Sequence, residues 1–337
     1  MTSWLNLSDE QKRTSLEQAA VRSGISAKAI EKDWWVTLML KALFEIPYAP
    51  FFIFKGGTSL SKGWKVIDRL SEDIDIALAP EAFGRAYQPE PTASYVKRLK
   101  KEGCEFTSTM IKDALAAQLQ FYGLTLEQIQ ISAAPVSDDF PDTDPQTILI
   151  SYRSLYPPHP YLADVVKIEF SVRSIKDPFE EIPMQSILWE VFPNKAYEQI
   201  SFSIKAAHPR KTFLEKLFLL HEKLDGDRAL QISLERQSRH LYDLVKMEDG
   251  GIADQALEDR ALYDALISHR RYWVRQKNID YDSLQRARLS FVPPKTVIDI
   301  FRADYAIMQR AMIYVPYHDF DTLIGRLRVL NKKINGL

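Results

Sequence analysis

Asp73 and Asp75 stand two residues apart in Arg69-Leu70-Ser71-Glu72-Asp73-Ile74-Asp75-Ile76, downstream of Phe54-Lys55-Gly56-Gly57-Thr58-Ser59-Leu60-Ser61-Lys62. On a strand, residues two apart project from one face. Two carboxylates held side by side repel unless a cation sits between them, and hard oxygen pairs suit Mg²⁺ or Mn²⁺. The glycine pair, Gly56 and Gly57, lets backbone come close to a bulky anion. The N–H groups that open a following helix favour negative charge there, and Thr58 and Ser59 add hydroxyl donors. Phosphates at one end of such a unit and metal at the other are what metal-bridged triphosphate chemistry needs. Gly-Gly alone is usually a turn, and Asp-x-Asp alone is more often an exposed edge or a cap. Their order along the chain carries the signal. The pattern G-x-x-x-x-G-K-[ST] is not met, which disfavours a P-loop.

The elements that would hold these residues can be read from periodicity. Phe51-Phe52-Ile53-Phe54 is a short apolar run and predicts a buried strand ending at the glycines. Leu60, Trp64 and Ile67 recur at helical spacing. Asp73 to Leu78 starts with period two and predicts a half-buried strand. Upstream, residues 8–46 read as helices. Ser8 is an N-cap with Gln11 at the capping-box position, Ser26 starts a second helix carrying Ile30, Trp34, Leu38 and Ala42, and Pro47 and Pro50 end it. Downstream come a basic helical stretch from Tyr95 to Lys101, a helix from Ser108 to Tyr122, and a Pro/Asp-rich loop at Pro141–Pro145. Strands are predicted at Thr147–Tyr152 and Ala163–Val172, the latter with Val165, Lys167, Glu169 and Ser171 on one face. From Thr212 on, helical patterns dominate: Phe213, Lys216, Leu217, Leu220 and Leu224, then Leu241, Leu244 and Val245. The expected fold class is α+β: a mixed sheet flanked by helices over residues 1–200, with an insertion around 83–145, followed by a mostly helical domain over 201–337.

Composition sets outer bounds. The chain has 337 residues, 46% of them hydrophobic, enough for a sizeable core in two domains. The single cysteine, Cys104, excludes an internal disulfide framework, and no Cys/His cluster suggests a zinc site. The N-terminus has no basic-then-apolar leader, and no apolar run reaches the roughly 18 residues of a membrane span. A cytoplasmic protein with no membrane partner is the expectation. The net charge of −1 hides an asymmetry: residues 1–204 hold 21 Lys and Arg against 27 Asp and Glu, and residues 205–337 hold 23 against 18. An acidic half and a basic half suggest different jobs, although ordinary drift in surface charge gives the same pattern.

Lys55-Gly56-Gly57-Thr58 through Asp75 closely resembles the AbiEii/AbiGii toxin family of nucleotidyltransferases, which has the minimal-nucleotidyltransferase fold of the DNA polymerase β superfamily. Ile30-Glu31-Lys32-Asp33-Trp34-Trp35-Val36 looks like that family's N-terminal helix signature. Glu215-Lys216-Leu217 and Arg239-His240-Leu241-Tyr242-Asp243-Leu244 resemble its later motif, with His240 where an aspartate is more usual. The resemblance covers most of the chain in order, leaving 83–145 without a matching motif. It implies a toxin of a bacterial toxin–antitoxin or abortive-infection system. The implied activity transfers NMP from an NTP (GTP, CTP or UTP) to RNA, with the 3′ end of tRNA as the expected acceptor and a cognate antitoxin as protein partner. By analogy with the fold, Asp73 and Asp75 bind Mg²⁺ or Mn²⁺, and a carboxylate on a neighbouring strand completes the site or takes the proton. Glu169 is the candidate, where the family more often has aspartate; a solvent-facing glutamate paired with Lys167 is the alternative.

Lys216, inside an apolar helical run, either snorkels from a core helix or reaches the triphosphate; the resemblance favours the second. Arg239 and Asp243 are nucleotide-binding candidates or a plain i,i+4 pair. Lys55, Lys62 and Arg69 would add positive charge around the phosphates, and Lys62 and Arg69 read equally well as solvated helix charges. His269 to Lys277 is basic with interleaved aromatics, which suits RNA or a helix with Trp273 in the core. Two other readings stay open: an enzyme of this fold acting on a protein or small molecule, and a catalytically silent module that binds a nucleotide or partner.

Overall fold

A computed structural model describes residues 2–125, 127–135, 144–159, 162–193, 201–224 and 233–336. Pro141, at the start of the predicted loop, lies outside the described residues. The chain divides into two compact units. The first comprises Met1–Gly63, Leu70–Gln88 and Thr92–Ala207; the second comprises Trp64–Arg69, Pro89–Pro91 and His208–Leu337.

The first unit is built on a seven-stranded mixed sheet. Its strands are β1 (Phe52–Lys55), β2 (Ile74–Leu78), β3 (Ile129–Ala133), β4 (Gln146–Tyr152), β5 (Val165–Ser171), β6 (Phe179–Met184) and β7 (Phe202–Ala207). Their order is β3-β4-β5-β2-β1-β7-β6. β2 runs antiparallel to β1 and parallel to β5. β7, beyond residue 200, is the parallel neighbour of β1. Alternation gives the sheet two unlike faces. Phe52, Phe54, Ile74, Ile76, Ile148, Ile150, Ile168 and Phe170 are all buried on one of them.

Helix α1 (Asp9–Ser23) opens with the expected reciprocal Ser8–Gln11 box, and Ser26 caps α2 (Ala27–Leu43). The four-residue stripe expected of α2 understates it, because almost the whole helix is buried, Trp34, Trp35, Val36, Met39 and Leu40 included. A helix buried on nearly every side belongs inside a layer rather than on top of one. Trp35 stacks on Tyr152 of β4, with ring centroids 4.7 Å apart. In the stretch that matched no motif, α3 (Ala93–Phe106) passes through a π-helical turn at Thr107–Ile111 into α4 (Lys112–Phe121). A Cβ on Gly103 would come within 2.4 Å of Val172, so glycine lets α3 approach the end of β5 closely.

The helix expected from the Leu60/Trp64/Ile67 spacing stops earlier. A short helix, Gly56–Thr58, runs into a π-helical turn at Ser59–Gly63, and Lys65 turns left-handed with φ 55°. A side chain at Gly63 would collide with Ile182 of β6, at 2.3 Å. Tertiary packing there overrides the periodicity.

The second unit is helical: α5 (Pro209–Leu224), α6 (Ser238–Asp249), α7 (Ile252–Glu258), α8 (Arg260–His269), α9 (Ile298–Ala311) and α10 (Phe320–Asn335). Its core holds Phe213, Leu217, Leu220, Leu241, Leu244, Val245, Leu323 and Leu327. The short segment Trp64–Arg69 joins it, Arg69 bridging to Ile313. Among the described residues no helix is long and apolar enough to cross a membrane.

Candidate active site

The bend at the end of β1 decides the geometry of the first unit's site. Gly56 has φ +78°, and a Cβ there would lie 2.1 Å from Oδ2 of Asp75. Only glycine fits, on both counts. The antiparallel register sets Lys55 opposite Asp75, and the parallel register of β2 with β5 sets Asp75 opposite Glu169. Asp75 therefore sits between the glycine bend on one side and Glu169 on the other. Asp73 precedes β2 by one residue. Its main-chain carbonyl accepts a hydrogen bond from the Thr58 hydroxyl, whose oxygen is also paired with the Ser71 hydroxyl at 2.8 Å.

The Thr58 and Ser59 side chains do a different job from the one their types suggested. Both residues are fully buried, and the Ser59 hydroxyl donates to the Gly56 carbonyl at 2.9 Å. The Thr58 donor ties the bend to the acidic segment, and the Ser59 donor closes the bend on itself. The backbone N–H groups of Gly56, Gly57 and Thr58 open a helical segment, where N–H groups have no carbonyl ahead of them within the helix.

The electrostatics follow from this crowding. Burial raises the proton affinity of Glu169, and Asp75 and then Asp73 raise it further; Lys55 and Lys167 act the other way. Both aspartates thus act on Glu169, which a lone surface glutamate paired with Lys167 would not show. Among the described residues no group of three or more His, Cys, Asp or Glu is arranged as a ready-made metal cage. Two neighbouring carboxylates still fit a small divalent ion, because Mg²⁺ takes one or two protein carboxylates and completes its shell with water and phosphate oxygens.

Behind the site lies a set of buried ion pairs. Lys32 is 1% exposed. Its ammonium donates to the carbonyls of Ala163 and Val165, at the start of β5, and pairs with Glu72 at 3.3 Å. Asp33 receives the Lys62 ammonium at 2.5 Å on one oxygen and the Ile187 N–H at 2.7 Å on the other. Lys62 is buried, not a solvated helix charge. A Glu-Lys-Asp run inside an otherwise apolar helix was the available signal, since buried charges need partners.

The second unit holds its own charge cluster. Arg69 is 1% exposed and grips Asp243 with two parallel bonds, Nε to Oδ1 at 2.7 Å and Nη2 to Oδ2 at 2.8 Å. It too is no solvated charge. Lys216 pairs with Oδ2 of Asp243 at 2.9 Å, and its ammonium lies 3.3 Å from Nδ1 of His240. Burial pulls the Asp243 carboxyl up, but Arg69 and Lys216 outweigh it and hold its pKa down at about 2. Burial lowers the pKa of Lys216 despite Asp243, with Arg69 and Arg239 adding to the drop. Burial and the same cations keep His240 neutral, so its Nδ1 accepts from Lys216. Arg239 contributes its field here. In the basic aromatic stretch, Trp273 is 1% exposed and lies parallel to His269, and Arg270 pairs with buried Glu222; that part is core. Arg271 pairs with Asp282 at the surface.

A comparison with curated proteins finds no match. Residues 38–326 match the family model described as nucleotidyl transferase AbiEii toxin, type IV toxin–antitoxin system. The match spans the glycine bend, the aspartate pair, Glu169 and the Lys216–Asp243 pair. With an NTP substrate and an antitoxin partner implied by that membership, the chain belongs to the AbiEii family of toxin nucleotidyltransferases.

Proposed function

We propose that the chain transfers a nucleoside monophosphate from an NTP to RNA, with the 3′ end of tRNA as acceptor, and that it does so with Mg²⁺. One observation carries the reading: Asp75 is held between a glycine bend that tolerates no side chain and Glu169 on the next strand. In this reading Asp73 and Asp75 would hold the divalent ion, which when bound would supply charge neutralisation for the triphosphate and its leaving group. The amides of Gly56, Gly57 and Thr58, with Lys55, face the phosphate chain. Glu169 takes the proton of the acceptor hydroxyl; its raised proton affinity makes it a stronger base than an ordinary carboxylate. The acceptor oxygen then bonds to the α-phosphorus, and pyrophosphate leaves with the electrons of the broken P–O bond. For Lys216, Arg239 and Asp243 the cluster supports a positive field around a fixed lysine. Lys62 and Arg69 are each held by a buried carboxylate, so the proposed phosphate contacts do not include them.

The test is to incubate the purified chain with each α-labelled NTP and total RNA, with Mg²⁺ and with EDTA. Mg²⁺-dependent label in the tRNA fraction, abolished in Asp73→Ala, is the expected result. Label in protein or small molecules after RNA removal would move the acceptor class. Nucleotide binding without turnover across all acceptors would overturn the enzymatic reading.

A further inference from the structure

The face of the sheet that carries Asp75 and Glu169 continues past them toward the β3 edge. By register, Lys167 lies beside Leu149, Leu149 beside Ser132, Glu169 beside Thr147, and Ser151 beside Gln130. Lys167, Ser132 and Gln130 are exposed, and Thr147, Leu149 and Ser151 are half-buried. Neither β3 nor β4 puts an Asp or Glu on this face. The opposite faces of the same strands are closed by Ile148, Ile150 and Ile168. Among the described residues, β3 and β4 thus present a shelf of hydroxyl, amide and aliphatic groups, with the cation Lys167 at its inner end.

We propose that Lys167 binds the phosphate that precedes the acceptor's terminal nucleotide, and that the shelf from β5 to β3 carries the single-stranded 3′ end of the acceptor. This rests on the reading above, in which Glu169 takes the acceptor's proton. Lys167 and Glu169 project from the same face of β5 two residues apart, about 6.6 Å along the strand. That separation suits a terminal sugar hydroxyl at one residue and the phosphate on the other side of the same sugar at the other. The strand order separates the two substrates. The glycine bend ends β1, while Lys167 is on β5, two strands away and about 9.6 Å across the sheet, with β2 between them. Lys55 sits on the triphosphate side and Lys167 on the acceptor side. A strand leaving Lys167 toward β3 meets hydroxyls and amides that serve sugar and phosphate, and Leu149 for the edge of a base. Among the described residues of β3 and β4 it meets no carboxylate to repel it. A double helix would need a wider cationic footprint than one lysine.

The test uses the full chain, a single-stranded oligoribonucleotide as acceptor and the NTP that the wild type uses best, with Lys167→Ala, Lys167→Glu and Lys167→Arg. Lys167→Ala should raise the acceptor KM about tenfold, as expected for one lost charge-assisted phosphate contact. Lys167→Glu should raise it further, and Lys167→Arg should restore it. The NTP KM and the kcat at saturating acceptor should stay within about twofold. The salt dependence of acceptor binding, measured with a 3′-deoxy oligonucleotide that cannot react, should lose the slope of roughly one phosphate contact. An NTP KM that moves while the acceptor KM stays would assign Lys167 to the triphosphate and overturn the proposal. So would variants matching the wild type in every constant while the wild type labels the oligonucleotide, and that outcome leaves the parent reading standing. A wild type that labels no oligonucleotide sinks the parent reading and this one with it.

Discussion

Glu169 and Asp243 are both carboxylates largely withdrawn from water, and their surroundings push them in opposite directions. Around Glu169, burial and two aspartates act together and make the proton harder to lose. Around Asp243, Arg69 and Lys216 overcome burial and make it an acid of about 2. A group of carboxylates forced onto one sheet face costs folding energy unless something binds there. A carboxylate gripped by a guanidinium and an ammonium is complete without a ligand. The first arrangement is expected of a site and the second of a brace, so the two clusters should answer mutation with opposite signs.

Asp75→Asn should give the largest effect on turnover, a loss of about 10³-fold or more in single-turnover transfer, because under the proposed function it removes a metal ligand beside the triphosphate. Its melting temperature should hold or rise, since a repelling charge is gone. A fall in melting temperature comparable to that of a core mutant would make Asp75 a structural residue and erase the contrast. Asp243→Ala should behave in reverse. It leaves Arg69 and Lys216 facing each other in a buried space, and the chain should lose about 3 to 5 kcal/mol of stability in denaturant titration. Unchanged stability would show that the cluster is no brace.

Gly56→Ala sharpens the comparison at the site itself. The added methyl has no room beside Asp75, and a left-handed alanine costs roughly 1 to 3 kcal/mol. Transfer should drop by about 10- to 100-fold in a chain that still melts cooperatively; retention of full activity would mean that the bend is irrelevant to the chemistry. A smaller effect is expected from Mg²⁺ alone. It should raise the melting temperature of the wild type by a few degrees, by binding the folded state only, and leave Asp75→Asn unmoved. Equal shifts in both would place the ion elsewhere.

The smallest effect is a pH dependence. The Asp243 carboxyl is depressed in the folded chain relative to its ordinary value of 3.8. Its contribution to stability is therefore complete above about pH 4 and is lost as the pH falls through about 2. Acid titration of stability should show that limb in the wild type and lack it in Asp243→Asn; identical acid limbs would refute the assignment.

Much of the frame was readable from local patterns. Ser8 with Gln11, Ser26, the apolar run of β1 and the alternation of β5 each encode an element through a cap or a period, and those depend on residues a few positions apart. The Asp-x-Asp spacing gave the expectation of two carboxylates on one face, and the family motifs around them pointed to the fold class. The helix after the glycines was misjudged because Gly63 answers to Ile182, far along the chain, rather than to its own periodicity.

What the chain alone determined was therefore the kind of chemistry: which side chains are acidic, which backbone positions must be glycine, and which charges lie inside apolar runs and must find partners. What tertiary structure decided was the identity of those partners. Glu169 meets Asp75 only because a crossover sets β5 parallel to β2 in one register and not the next. Arg69 meets Asp243, and Lys62 meets Asp33, across separations in sequence over which no period or cap reaches. A burial pattern states that a charge must be answered; only the packed fold brings the answering group within 3 Å.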